Sequence, residues 1–254
     1  MLLVIDVGNT NTVMGIYQKE KLLAHWRLET KKERTADELG IFFKELLGFA
    51  KILLSDISAI AISNVVPPLT STLQQMCLRY FGHKPFIVDH KVKSPLNLKL
   101  DNPRELGADR IVNAVAAHQE FLTDLTVIDF GTATTFDVVT KNADYLGGAI
   151  CPGIKISLEA LFHSASKLPR IEITKPDKAI GSNTVDCMQS GVYHGYSGLV
   201  DTLVRKMEKE LGKKLKVIAT GGLAGLIAEG SETIEHVDEF LTLKGLKILH
   251  QLNS

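Results

Sequence analysis

Two aspartates, Asp6 and Asp129, each end a short apolar run and each open a turn built from glycine and hydroxyl-bearing residues. The first turn reads Asp6-Val7-Gly8-Asn9-Thr10-Asn11-Thr12-Val13, and the second reads Asp129-Phe130-Gly131-Thr132-Ala133-Thr134-Thr135. Glycine directly after a strand lets backbone N–H groups approach a phosphate, and asparagine and threonine add neutral donors. Asp6 suits a Mg²⁺ ion, held directly or through water, because Mg²⁺ combines one or two carboxylates with phosphate oxygens and retained water. Taken alone, the first turn fits a plain β-hairpin equally well. A second copy about half a chain away favours a pair of turns that grip a nucleotide phosphate and its metal from two sides. Neither turn is a P-loop, since no GxxxxGK[ST] occurs. The DFG triplet at 129–131 lacks the glycine loop, the VAIK-like strand and the HRD segment of a protein kinase.

Between the two turns lies Asn102-Pro103-Arg104-Glu105-Leu106-Gly107-Ala108-Asp109-Arg110. Asp109 there could act as a base toward a substrate hydroxyl, and Arg110 could pair with a carboxylate or phosphate, for which its planar fork is suited. The same residues also fit a helix N-cap with a surface ion pair. Gly147-Gly148-Ala149-Ile150-Cys151-Pro152-Gly153 either brings backbone close to a ligand or only shapes a bend. Gly181-Ser182-Asn183-Thr184 caps a helix or turns a hydroxyl toward a site, and Thr220-Gly221-Gly222 ends a strand where an adenine or ribose would be met. The eight histidines form neither HxxxH nor HExxH, which argues against zinc. Nothing beside Cys151 argues for a thiolate nucleophile, so it reads as a packing residue.

The elements that must carry these residues can be read from apolar periodicity. LLVID is a continuous apolar run, as for a strand buried on both faces; TVMGIY returns antiparallel and KLLAHWRL adds a third strand. Thr35-Ala36-Asp37-Glu38 resembles a capping box before a helix, Ile57 to Ser63 is a strand, and Leu69 to Tyr80 reads as a helix entered through prolines. KPFIVD gives a short strand and Ala108 to Glu120 a helix. The second half repeats the order with VIDF, TTFDVV, a strand near Tyr145 to Ile150, and a helix after Gly153. KLKVIATGG is a buried strand, LAGLIAE starts a helix, and Asp238 through Leu252 has the spacing of an amphipathic helix. The expectation is a duplicated α/β architecture with halves at 1–118 and 119–254 around a central nucleotide cleft.

Composition narrows the function classes. With 45% hydrophobic and 23% charged residues, the 254-residue chain can bury an ample core. A formal net charge of +0 gives no support for a nucleic-acid or membrane surface, and no apolar run approaches the ~20 residues that span a bilayer. Three widely separated cysteines, Cys77, Cys151 and Cys187, read as reduced thiols in a cytoplasmic protein.

The set DVGNT, GADR, DFGTATT, GGAICPG and SNT, in that order and over nearly the whole chain, resembles the type III pantothenate kinases. That resemblance implies a duplicated actin-like (ribonuclease H-like) fold and ATP-dependent phosphorylation of pantothenate to 4′-phosphopantothenate, the first step toward coenzyme A. It further implies a cytoplasmic homodimer that needs a monovalent cation, K⁺ or NH₄⁺, besides Mg²⁺ with ATP. By motif, Asp6, Val7, Gly8, Asn9, Thr10, Asn11, Thr12, Val13 and Thr132 are expected to bind ATP. Gly107, Ala108, Asp109, Arg110 and Thr184 are expected to bind pantothenate, with Asp109 as the catalytic base and Asp129 as ligand of the monovalent cation. Many members carry a tyrosine ahead of the NP…GADR stretch where this chain has Leu100 followed by Asp101. Two other readings share the scaffold: a non-catalytic regulator of the Bvg accessory type, and another small-molecule kinase. Asp109 and the two phosphate turns favour an enzyme, and the GADR segment favours pantothenate as its substrate.

Overall fold

The apolar run after Met1 becomes β1 (Leu2–Val7), whose Leu3, Val4, Ile5 and Val7 are all buried. The computed structural model describes residues 1–254. β2 (Asn11–Gln18) and β3 (Lys21–Glu29) follow as antiparallel neighbours, and β1 pairs in parallel with β4 (Ala59–Asn64) on its other side. Between β3 and β4 runs α1 (Ala36–Phe49), whose start carries the expected capping box: Glu38 N–H donates to Thr35 Oγ1 at 3.2 Å and Thr35 N–H to Glu38 Oε2 at 2.7 Å. α2 (Thr70–Met76) is shorter than the sequence suggests, because Cys77–Phe81 continues as a wider π turn before Gly82 closes it at φ 72°. The KPFIVD strand shrinks to β5 (Phe86–Ile87), and β6 (Asn97–Leu98) follows.

α3 (Ala108–Phe121) leads into β7 (Leu125–Phe130), β8 (Ala133–Val139) and β9 (Asp144–Pro152). Then come α4 (Ile154–Ser164), α5 (Thr184–Leu211), β10 (Lys216–Gly221), α6 (Ala224–Ala228), β11 (His236–Val237) and α7 (Leu241–Asn253). The helix expected from Asp238 begins at Leu241 instead. Asp238 N–H still donates to Ala219 carbonyl at 2.9 Å and its Oδ1 accepts from Phe240 N–H at 3.0 Å, which holds this stretch against the sheet.

The chain forms two compact units. One comprises 1–95, 101–116 and 241–254; the other comprises 96–100 and 117–240. The chain therefore crosses between units more than once instead of dividing at a single point. Sheet order in the first unit is β3-β2-β1-β4-β5, and in the second β11-β10-β7-β8-β9-β6. Read from the hairpin outward, β9-β8-β7-β10-β11 repeats β3-β2-β1-β4-β5 strand for strand, including the antiparallel hairpin pairs and the parallel pairs β1–β4 and β7–β10. The duplication heard in the sequence is thus a duplication of topology. In the first unit, Leu3, Ile5, Met14, Phe43, Ile60, Ile62 and their neighbours form one core. In the second, Ile128, Phe136, Ile154, Val200, Val217 and Ala219 anchor another. No helix is long and apolar enough to cross a membrane.

Candidate active site

In the first unit, β1 delivers Asp6 to its C-terminal end, where it pairs with Val13 on β2 and with Ser63 on β4. Gly8 N–H donates to Asn11 carbonyl at 3.0 Å and closes the turn. A Cβ at Gly8 would lie 3.1 Å from that same carbonyl, tighter than nearly all side-chain contacts. Asn9 and Thr10 stand exposed at the tip. The turn is also held from outside its own hairpin. Thr30 N–H donates to Thr10 carbonyl at 2.9 Å, and the Thr30 and buried Thr12 hydroxyls lie 2.9 Å apart. Thr30 opens the cationic stretch Lys31-Lys32-Glu33-Arg34, and Lys31 and Arg34 line one small cavity with Val7, Thr12 and Glu29. Arg34 sits over the Phe42 ring with Cζ 4.5 Å from its centroid. No motif marks this stretch in the sequence. Its only signal is a cluster of cations close after a strand, which usually marks a solvated loop.

Gly107 to Arg110 belong to the same unit and form the start of α3, with Ile111 N–H donating to Gly107 carbonyl at 3.3 Å. Asp109 lies in the first helical turn, where the helix dipole favours a carboxylate. Its Oδ1 accepts the Arg110 N–H at 2.8 Å. A Cβ on Gly107 would come 2.6 Å from that Oδ1, so the glycine makes room for the carboxylate. The loop after β4 joins this turn to the end of β1. Val65 N–H donates to Val7 carbonyl at 3.0 Å, and Val65 Cγ1 lies 3.6 Å from the point a Gly107 Cβ would occupy. Asn64 fixes the loop: its amide donates to Val66 carbonyl at 3.1 Å and Thr70 Oγ1 at 2.9 Å, and its carbonyl accepts Val66 N–H at 2.9 Å. The structure therefore gathers Asp6 to Val13 and Gly107 to Arg110 around one pinned loop. Asn64, one residue past the strand end expected at Ser63, closes β4, and no motif in the sequence marks Asn64 or Val65.

In the second unit, Asp129 occupies the matching place on β7, between Thr135 on β8 and Thr220 on β10. Glycines surround its carboxylate. A Cβ on Gly221 would fall 2.7 Å from Asp129 Oδ1, one on Gly131 would fall 3.5 Å from it, and Gly221 adopts φ 94°, which disfavours any other residue. Thr132 follows in the turn, and its carbonyl accepts Gly153 N–H at 3.1 Å. A Cβ on Gly153 would strike that carbonyl at 2.2 Å, so the GGAICPG segment packs directly against the second turn. Thr184 is the exposed first residue of α5, while Asn183 caps the helix by accepting Asp186 N–H at 3.0 Å. Leu100 is half-buried, with Cδ2 3.3 Å from where a Gly147 Cβ would be.

Two sheets of one topology, each presenting an aspartate and a hydroxyl-rich turn at the end of its first strand, define an actin-like fold. Solved structures agree on the fold. The chain is similar to component A of (R)-2-hydroxyglutaryl-CoA dehydratase from Acidaminococcus fermentans (TM-score 0.57, 14% identity, 100% of this chain and 99% of that one). It is similar also to the inorganic polyphosphate/ATP-glucomannokinase of an Arthrobacter strain (TM-score 0.52, 14% identity, 100% and 99%). A Campylobacter jejuni protein assigned to the Baf family of transcriptional activators gives a TM-score of 0.62 at 21% identity over 99% of this chain and 98% of that one, a likeness of fold alone.

Sequence relatives are more specific. The family model for type III pantothenate kinase matches residues 2–206. The type III pantothenate kinase of Geobacter sulfurreducens is 55% identical over 253 residues, covering 100% of this chain and 99% of its own, and that of Halalkalibacterium halodurans is 53% identical over 100% of both. The chain belongs to the type III pantothenate kinase family.

Proposed function

We infer that the chain transfers the γ-phosphoryl group of ATP to the terminal hydroxyl of pantothenate, giving 4′-phosphopantothenate at the first step of coenzyme A biosynthesis. Family membership over the length of the chain supports the reaction, and it does not favour the regulator reading. The observation that carries the site is the loop at Asn64–Val66, which ties the Asp109 turn to the end of β1 in one unit.

Phosphoryl transfer passes through a loose transition state, so positioning and charge stabilisation do most of the work. Asp6 to Val13 hold the ATP phosphates, with the N–H and hydroxyl groups of the turn donating to phosphate oxygens, and Thr132 contributes from the second turn. Asp109 orients the pantothenate hydroxyl and accepts its proton, Arg110 pairs with negative charge on the substrate, and Gly107, Ala108 and Thr184 complete the pantothenate contacts. No group of three or more His, Cys, Asp or Glu residues is arranged to cage a metal. That fits a Mg²⁺ that arrives on the nucleotide with Asp6 as its single carboxylate, directly or through water. When bound, Mg²⁺ neutralises phosphate charge. Asp129 would hold a monovalent cation, K⁺ or NH₄⁺; the close approach of Gly221, where a Cβ would fall 2.7 Å from Oδ1, keeps side-chain bulk away from that carboxylate. The working form is a homodimer in the cytoplasm, to be checked by light scattering on the purified protein. With Leu100 in place of an aromatic, any ring contact to pantothenate is absent or made by another residue.

A coupled ADP-release assay over pantothenate, acetate and a panel of sugars tests the substrate, and only pantothenate should support turnover. Asp109→Asn should lower kcat roughly 10²- to 10⁴-fold with the pantothenate KM held within a few-fold. Near-normal turnover by that variant would remove Asp109 from the role of base.

A further inference from the structure

Asp137 and Tyr145 are both fully buried in the second unit, and nothing in the reaction just described uses them. β8 alternates. Phe136 faces the core shared with Ile128, while Thr135 and Asp137 turn to the opposite face. In the antiparallel pair β7–β8, Asp129 lies directly across from Thr135, so their side chains emerge on one face as immediate neighbours. Thr135 Oγ1 donates to Asp137 Oδ2 at 3.3 Å, and the Tyr145 hydroxyl donates to Asp137 Oδ1. Both oxygens of a carboxylate removed from water are thus engaged by hydroxyl donors. Burying a carboxylate is costly, and an aliphatic side chain would fill the same space more cheaply, so packing alone gives no reason for an acid here.

The consequence falls on Thr135. A hydroxyl has one proton and two lone pairs. With its proton committed to Asp137, Thr135 presents lone pairs only, and it is half-exposed beside Asp129. A weakly hydrated monovalent cation needs several neutral oxygens in place of its water shell, more than one carboxylate can supply.

We propose that Thr135 is a second protein ligand of the monovalent cation, and that Asp137 and Tyr145 are positioning residues that aim its lone pairs at that ion. This rests on the reading of Asp129 as the cation's carboxylate. It accounts for a buried acid–tyrosine pair, Asp137 two residues beyond the second turn and Tyr145 on β9, which the phosphate chemistry leaves unexplained.

The test follows both turnover and thermal midpoint as K⁺ is titrated at constant ionic strength, with tetramethylammonium as the filler cation. Thr135→Val keeps the shape and removes the oxygen. It should require at least the roughly 10- to 100-fold more K⁺ for half-maximal response in both readouts that losing a ligand's outer-shell support costs. At saturating K⁺ its pantothenate KM should match that of the wild type. Asp137→Asn, whose amide can donate to Thr135 and turn the hydroxyl proton toward the ion, should shift both curves in the same direction, and Tyr145→Phe should do so to a smaller degree. A folded Thr135→Val protein with the wild-type K⁺ curve in both readouts overturns the proposal. Asp129→Asn separates the two levels. If it abolishes the K⁺ response while Thr135→Val does not, only Thr135 is misassigned; if it too leaves the curve unchanged, the cation does not sit at Asp129 and both assignments fall.

Discussion

A methyl group added at Gly221 has nowhere to go. It would stand 2.7 Å from both Asp129 Oδ1 and Phe130 carbonyl, on a backbone already at φ 94°. Gly221→Ala should therefore cost roughly 1–3 kcal/mol in stability from the backbone alone, and should also displace Asp129 and blunt the K⁺ response. Thermal melting with and without K⁺ checks both parts. Gly225, with nothing within 4 Å of its Cβ position and a place inside α6, supplies the control. Gly225→Ala should be neutral or stabilising by about 0.4–1 kcal/mol. The sequence marks Thr220-Gly221-Gly222 as a strand end, and that much is legible from an apolar run stopping at glycines. It does not show that Gly221 abuts Asp129, because that contact depends on the parallel pairing of β7 with β10, two strands separated by most of a unit. The same limit applies to Thr135 and Asp137. Their alternation on one strand is visible in TATTFD, but Tyr145 reaches Asp137 only once β9 has folded back.

At the scale of elements, local signals read well and covering contacts do not. The capping box at Thr35 is a four-residue pattern, and the helix starts where it says. Thr35→Ala should cost about 1 kcal/mol, measurable as a shift in urea midpoint with unchanged slope. Asp201 shows the other case. In α5 it looks like a solvated helix position, yet it is buried, because the loop after α6 folds over it. Asp201 accepts from Ser231 Oγ at 2.6 Å, Glu232 N–H at 3.0 Å, Thr233 N–H at 3.1 Å and Thr233 Oγ1 at 2.8 Å. Burial alone would raise its pKa, but these donors outweigh it and hold the carboxyl below the usual carboxylate range. A carboxyl whose folded pKa lies below its unfolded value of about 3.9 stabilises the fold above that pH and loses its contribution as pH falls through the folded pKa. Asp201→Ala should thus destabilise by roughly 2–3 kcal/mol at pH 7, since it leaves several donors without an acceptor. The gap to wild type should narrow under acid, below both pKa values, because the part that depends on the charged carboxylate is lost while the neutral carboxyl still accepts. A gap that stays constant from pH 7 down to pH 2 would mean the loss is one of packing and not of the charged carboxylate.

At the scale of the whole molecule, the last helix returns to the unit in which the chain began. The amphipathic spacing of its leucines announces a helix with one buried face, but periodicity names the face and not the partner. The structure supplies the partner: α7 belongs with β1, β2 and β4. Leu241, Leu243, Leu246 and Leu249 are buried. Leu243 lies close against Gly15 on β2, and a Cβ on Gly245 would come 2.0 Å from Val112 carbonyl on α3. Lys247, itself nearly buried, pairs with Glu20 in the β2–β3 turn. Four buried leucines contribute about 1.5–3 kcal/mol each, or roughly 6–12 kcal/mol together, which is comparable with the about 5–15 kcal/mol net stability of an ordinary domain. The Asp6 turn and the Asp109 turn are therefore expected to depend on residues far from them in sequence. Ending the chain at Phe240 should abolish folding of the first unit, with the amides of β1, β2 and β4 losing their protection from hydrogen exchange and turnover lost as a result. Gly245→Ala, which pushes α7 away from α3 without removing it, should lower protection in the same strands by a smaller amount. If the shortened chain kept those amides as protected as the full chain does, the cores of β1 and β4 would have to be self-sufficient, and the return of α7 would serve some other purpose than holding the first unit together.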